Sequence, residues 1–433
     1  MTQLVQRLEG DTKPKPPPTP SEQREALQRL VLIVVAGFLA SVATHTTKTV
    51  LVILAVMAMI MLHEFGHFIM AKRAGMKVTE FFLGFGPRLW SFRRGETEYG
   101  VKAFILLGGY VRIVGMTNLE DVAPDEEPRT YRAASYPKRL STIVAGSVMH
   151  FIIAFLLLFV LHSIVGVFHI QNEGAQVREI SRFDSAGESP AELAGLRPGD
   201  KVLSVDRHRI DSHGLTAYIR KHPAQPIVFD VERDDQRIQL TVTPVDASTV
   251  RINGKAPAKE HVGFVGVAVN QPYYVERGNP LVAGVRAGRE LGRLTSLSAQ
   301  GIADLVSFHG IRSYGDQLSG KAPKGDPADQ PRLISPVGLV RVASQAADSG
   351  LRVTLYLLVS INIFVGMLNM LPLLPFDGGH AAVATYERIR SRRGRPYRVD
   401  IAKLMPVTYM VVMLLLFVTI TSLYLDIRHP LNL

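Results

Sequence analysis

Between Thr49 and Ala71 the chain is apolar enough to cross a bilayer, yet it carries two histidines and a glutamate as HEFGH, His63–His67. Polar ionisable groups inside a spanning helix are costly to bury without partners, so they ask for a shared purpose. On a helix His63 and His67 stand four residues apart and share one face. Two imidazoles so placed grip one metal ion, and a glutamate beside them, Glu64, stands next to a metal-bound water as a base. The plainer reading, polar residues lining a helix interface, does not account for three such groups together. The chain has no cysteine, so any metal is held by His, Asp or Glu.

A catalytic zinc needs a third protein ligand and an open position. The best candidate is Asp377, in NMLPLLPFDGGH at Asn369–His380. Pro372 and Pro375 break the preceding helix, which a membrane tolerates only beside protein or a wet cavity. Gly378 and Gly379 let the chain turn and approach closely. The alternative is an ordinary span end with a turn.

Composition sets the surroundings. The 433 residues are 47% hydrophobic and 20% charged, which fits a polytopic membrane protein with soluble parts. The formal net charge is +11. Its Lys and Arg sit mainly beside apolar segments, so they read as topology signals, and no nucleic-acid partner is expected. Residues 1–28 form a polar lead with the Pro-rich run Lys13–Pro20, expected to be disordered. Residues 29–48 hold a short apolar run, Leu30–Ala43, for which two readings stand: a further span, or a secretory signal.

The first core helix is expected over 49–72 and the second over 141–168, with Ile143–Ile164 as its apolar centre. The third, Leu351–Leu374, lies within 351–403, which also holds the DGG motif and a basic loop. The fourth is 404–425. The 73–140 stretch predicts short strands in hairpins over Val78–Trp90 and Glu98–Val114, punctuated by Gly84, Gly86 and Gly108. Twelve Lys/Arg between residues 72 and 140 place that loop and 386–403 in the cytoplasm, and 171–350 outside. Both proposed ligand sets then fall in the inner half of the bilayer, His67 being about 7–8 Å of helix from Lys72. Within the external part, 171–270 reads as a soluble module and 271–350 as a helix (Pro280–Gly310) followed by a Gly/Pro/Asp-rich linker, Ser313–Arg332.

HEFGH, the NxxPxxPxDGG pattern and the helix layout together resemble the site-2 protease family of intramembrane zinc proteases. The likeness runs from about Thr49 to Leu425 and is strongest to bacterial members with a PDZ module, especially actinobacterial ones. It implies a four-helix core (five spans if Leu30–Ala43 crosses), a membrane-associated β-hairpin region and an external PDZ-like α+β domain in a bacterial plasma membrane. It implies Zn2+ on His63, His67 and Asp377, Glu64 as general base, and Asn369 holding the substrate strand. GFGP at Gly84–Pro87 resembles the family's hairpin region, so Gly84 and Gly86 are expected on the substrate side. SPVG at Ser335–Gly338 resembles a further family segment. Substrates implied are pre-trimmed single-span membrane proteins such as anti-sigma factors, so regulated intramembrane proteolysis is the expected activity. Membrane lipid is the other expected partner.

One family pattern is broken. Gly-Pro-x-x-Asn is usual at the second core helix, and here AGSVMHF puts Ser147 and His150 at the Pro and Asn places. His150 reads either as a packing histidine or as a group approaching the site. His380 reads as support for the ligands or as turn packing. SPAELAGLRPGDKVLSVD at Ser189–Asp206 resembles a bacterial PDZ domain, with turns at Gly195 and Gly199, Asp200 capping, and strands at Lys201–Val205, Ile227–Glu232 and Ile238–Pro244. Gly263–Val269 is expected to close the sheet. Such a module binds an extended peptide as an added strand or acts as a steric filter. Two rival functions would make different demands on the chain. A metal transporter would need polar residues repeated through several spans, and a non-catalytic PDZ scaffold would not need Glu64.

Overall fold

The computed structural model describes residues 19–116, 120–170, 174–181, 187–249, 260–319, 333–391 and 397–428. The run Lys13–Pro20 lies almost wholly outside them. The chain divides into two units, Met1–Val165 with Asn279–Leu433, and Gly166–Gly278.

In the first unit, five helices are long and apolar enough to cross a membrane. Helix α1 covers Pro20–Ala43 and is longer than the apolar run within it. The reason is a cap. Thr19 accepts from the Glu22 amide while Glu22 reaches back to the Thr19 amide at 2.7 Å, and Pro20 takes the first helical position. Helix α2 is Thr47–Arg73. Helix α3, Tyr136–Val160, continues into one π-type turn, Leu161–Val165.

Between α2 and α3 lies a sheet made by β1 (Val78–Arg94) and β2 (Thr97–Ile113), turning at Gly95. Each strand bends on itself, so short segments do the pairing. Residues 80–83 face 109–112 on one side and 98–101 on the other, and 88–94 pair with 97–102. The bend in β1 falls at Gly84 and Gly86, both at positive φ.

The second unit is built on a sheet ordered β11-β4-β5-β7-β8, with β6 on β5. In chain order its strands are β3 (Val167–Ile170), β4 (Ala175–Ile180), β5 (Lys201–Val205), β6 (His208–Arg209), β7 (Ile227–Arg233), β8 (Gln236–Val242), β9 (Val245–Asp246), β10 (Gly263–Phe264), β11 (Val267–Asn270) and β12 (Tyr273–Glu276). Two helices, α4 (Pro190–Leu193) and α5 (Ser212–Lys221), accompany it. Val177, Val202, Leu215, Phe229 and Val231 form its buried centre. The Gly263–Val269 stretch does not act as one strand. Gly266 at φ +81° splits it, so β10 pairs with β9 and only β11 joins the main sheet.

Returning to the first unit, α6 is Pro280–Val306 and α7 is Phe308–Leu318. Ser307 ends one and caps the other, its Oγ accepting from the Gly310 amide at 3.0 Å. The expected linker from Ser313 therefore starts inside a helix, and its residues 320–332 lie outside the described ones. Helix α8 is Pro336–Ser349, α9 is Leu351–Asn369, α10 is Asp377–Arg390 and α11 is Met405–Arg428. The third core helix thus stops at Asn369, short of Leu374, because the following prolines cannot continue it. At the start of α8, the Ser335 amide donates to buried Asp426 of α11 at 2.8 Å.

Candidate metal centre

The spacing of HEFGH on α2 turns His63 and His67 to one side, against α3. Both rings are buried. Asp377 is the first residue of α10, so the helix break puts its carboxylate against them. His63 Nε2, His67 Nε2 and Asp377 Oδ2 form a triangle with edges of 3.2, 3.4 and 3.3 Å.

That triangle fits a metal. A tetrahedral zinc bonded at about 2.0–2.1 Å spaces its ligands about 3.3–3.4 Å apart. Asp377 Oδ2 is buried without a hydrogen-bond partner, a state that is costly for a carboxylate unless a cation answers it. The His67 ring is fixed from behind: Nδ1 donates to the Thr142 carbonyl at 2.8 Å. This leaves the Nε2 lone pair free to face Asp377, the arrangement found for metal-ligating histidines.

Close packing makes the triangle possible. A Cβ on Gly146 of α3 would stand 2.3 Å from His67 Nε2 and 2.6 Å from His63 Cε1. A Cβ on Gly66 would stand 2.6 Å from the Ala145 carbonyl oxygen. Only glycine at both places lets α2 and α3 meet at this depth. Similarly, side chains at Gly378 and Gly379 would strike the 370–374 backbone at 2.2 and 2.5 Å. The two glycines of DGG therefore let α10 fold back on the break that aims Asp377.

Glu64 lies half-buried beside this cluster. Residues 109–112 of β2 run over it: a Cβ on Gly109 would stand 3.5 Å from Glu64 Cγ and 2.8 Å from Met61 Sδ. His150 packs against the cluster as well, its ring 4.8 Å from that of His63. It is also a satisfied histidine, bonded to Asn362 of α9. The two readings of His150 are therefore both met by one geometry.

The remaining expected residues stand apart. Asn369 is half-buried at the end of α9, and no hydrogen bond among the described residues joins it to the cluster. Gly84 and Gly86 shape the β1 bend, where side chains would meet the Lys102 carbonyl at 2.9 Å and the Phe104 ring at 2.5 Å. His380 sits one turn beyond Asp377 and lines a cleft with Arg139 and Glu387. Thr142, Gly146 and Asn362 were not singled out from the sequence. For Asn362 a signal existed, an amide within an apolar run.

Two histidines inside one candidate span and an aspartate from a helix break form a site fit for a metal ion, that of a metalloprotein of the membrane. The model of peptidase family M50 matches residues 51–417, and the chain belongs to that family. It is similar to the zinc metalloprotease Rip1 of Mycobacterium tuberculosis, 36% identical over 422 residues, covering 89% of this chain and 98% of the relative. Rip1 of Mycolicibacterium smegmatis is 33% identical, covering 88% and 98%. A protein of Rhizobium meliloti described as a putative zinc metalloprotease is 29% identical, covering 83% and 91%.

Proposed function

We propose that this zinc metalloprotease hydrolyses peptide bonds within the transmembrane segments of single-span proteins that have already been trimmed outside the membrane. One observation carries the reading: His63, His67 and Asp377 converge within 3.2–3.4 Å of one another at helices apolar enough to span, with Glu64 alongside.

His63, His67 and Asp377 would hold the zinc. When bound there, the ion supplies Lewis acidity and a water of lowered pKa. Glu64, beside the cluster, would serve as the general base that moves a proton toward the leaving amine, work typically worth about 10²–10⁴-fold. A spanning segment must first be unwound, because its amide groups are already paired within the helix. Residues 109–112 supply replacement partners. They pair with 80–83 on one side only among the described strands, and Gly109 packs over Glu64. An unwound substrate adds as a strand along that edge, with Gly84 and Gly86 shaping the sheet and Asn369 holding the strand's far end.

The 171–270 module is read as PDZ-like and external, with the metal centre toward the cytoplasm of a bacterial plasma membrane. The antiparallel sheet and the turns at Gly195 and Gly199 support that reading. Its task is to refuse substrates with bulky external domains. Anti-sigma-factor-like proteins fit this description.

The experiment uses full-length protein in lipid vesicles and a single-span model substrate, with zinc measured on the same samples. Glu64→Gln is expected to keep about one zinc per chain and to lose about 10²–10⁴-fold in cleavage rate. Normal cleavage by that variant, or wild-type protein that cuts as fast without zinc, would sink the reading.

A further inference from the structure

A second polar site lies beside the metal centre, where the start of α3 meets α10. The cleft is small and opens to solvent on one side. It is lined by Tyr131, Arg132, Arg139, His380, Glu387 and Arg398, with two apolar neighbours. Three guanidiniums thus face a lining that holds one carboxylate.

The pairing does not balance. Arg132 is answered by Glu127, outside the lining, at 2.7 and 2.9 Å. Arg139 and Arg398 share Glu387, at 2.7 and 3.3 Å. Glu387 is already engaged further by the Val399 amide at 2.8 Å. Within the lining itself one positive charge is left over, with Glu120 and Asp121 standing beside Arg132 outside it.

The hydrogen bonds are also incomplete. Tyr131 is 3% exposed and Arg139 is 7% exposed, with the Arg139 guanidinium 4.9 Å above the Tyr131 ring. Neither Tyr131 Oη nor Arg139 Nε makes a hydrogen bond of normal geometry; the two side chains only interact loosely with each other. Arg139 Nε carries a proton and no lone pair, and a buried phenol donates well. Buried donors without acceptors are costly and uncommon in folded chains. A surplus positive charge and two orphan donors ask for the same thing, an anionic oxygen.

We propose that this cleft binds a singly charged phosphate group, taken up by Tyr131 Oη–H and Arg139 Nε–H with Arg398 at the mouth. Arg139 belongs to the first turn of a candidate span, so the cleft stands at the end of a helix, at the level where lipid headgroups lie. Basic pockets between spanning helices commonly take such groups. The phosphate belongs either to a membrane phospholipid or to free inorganic phosphate.

The test uses full-length protein in detergent after removal of copurified lipid. Phosphatidylglycerol is titrated and bound lipid is counted by native mass spectrometry, while equilibrium dialysis follows radiolabelled inorganic phosphate. Two variants are compared, Tyr131→Phe and Arg398→Gln, with circular dichroism and zinc content confirming that each is folded. The wild type is expected to bind one phosphate-bearing ligand saturably. Each variant is expected to bind it about tenfold more weakly, the loss of one hydrogen bond to a charged group. Saturable lipid without inorganic phosphate assigns the site to a headgroup, and the converse assigns it to the free ion. Saturable binding of neither, or unchanged affinity in both folded variants, overturns the proposal.

Discussion

His150 Nδ1 lies 2.9 Å from Asn362 Oδ1, joining α3 to α9 at the side of the metal centre. Asn362 Nδ2 donates to the Leu358 carbonyl at 2.8 Å, so its oxygen faces His150 and the histidine is the donor. Both residues are buried, at 3% and 0% exposure. The His150 ring is thus held 4.8 Å from that of His63, tilted 37° from its plane.

From this contact follows the first prediction. His150→Leu leaves Asn362 Oδ1 without its donor and removes the wall behind His63. Outer groups that orient metal ligands typically cost about 10–100-fold in metal affinity or activity when lost. Cleavage and zinc affinity are expected to fall together by about tenfold. His150→Asn, which still reaches Asn362, is expected to recover most of the zinc affinity. Zinc titration against a competing chelator checks both. Wild-type affinity in His150→Leu would show that the ring holds nothing.

Gly146 gives a sharper prediction. An alanine there needs the space now filled by His67 Nε2, and the surrounding backbone of α2 and α3 is packed too closely to yield. Gly146→Ala is expected to lower zinc affinity by more than about 100-fold. Gly284, with open space around it, is the control: Gly284→Ala should bind zinc normally. Chelator competition on both variants reads the difference. Equal affinity would mean that α3 does not press on the histidines.

The tip of the hairpin is tethered by charge. Glu96 accepts from Lys72 at the end of α2 at 2.6 Å and from Arg129 at 2.9 Å. The Arg129 bond first, then Lys72, hold the Glu96 carboxyl below the usual carboxylate range, against the opposing effect of burial. A depressed carboxylate stabilises the fold above its unfolded value, and that contribution is lost as pH falls through the lower, folded value. The protection of amides at residues 94–98, taken relative to their intrinsic exchange rate at each pH, is therefore expected to hold from about pH 7 to about pH 5 and to fall only in more acidic buffer. Glu96→Gln should exchange fast throughout. Protection in the wild type that is already lost near neutrality would contradict the tether.

Parts of this centre were legible in the sequence because they are local. The i, i+4 spacing of HEFGH fixes which face the histidines share, and the prolines before Asp377 announce a helix break. What the sequence withheld is contact between elements distant along the chain. Nothing in AGSVMHF says that Gly146 meets His67, since that depends on how deeply α3 packs against α2. His150 was visible as a departure, but its partner Asn362 sits 212 residues on, in an apolar run where one amide is easily passed over. The extent of α1 was misjudged for a different reason. Its start is set by the Thr19–Glu22 cap, in a polar stretch that hydropathy reads as lead. The second half of α7 hid likewise, because Gly315 and Asp316 resemble a linker, while Ser307 supplies the cap that starts a helix of its own.

The second unit offers a prediction that separates its stability from the chemistry. Asp200 is 2% exposed and accepts from Arg233 Nε and Nη2, both at 2.7 Å, and from the Arg197 amide at 2.8 Å. It joins the turn at Gly199 to the end of β7, while Arg233 also donates to the Gly195 carbonyl at 2.7 Å. Removing Asp200 leaves a guanidinium and a buried amide without their acceptor. Breaking one partner of a buried pair costs about 3–5 kcal/mol, and the partial exposure of Arg233 brings the expectation to about 2–3 kcal/mol. In full-length Asp200→Ala, amide exchange across β5 and β7 is expected to speed by about 30–160-fold, the equivalent of that loss when exchange follows opening. Asp200→Asn keeps an oxygen for the Arg197 amide and should lose about half as much free energy. Zinc content is expected to stay at the wild-type level in both, because His63, His67 and Asp377 all belong to the first unit. Loss of zinc from Asp200→Ala would show instead that the metal centre depends on this turn for its own folding.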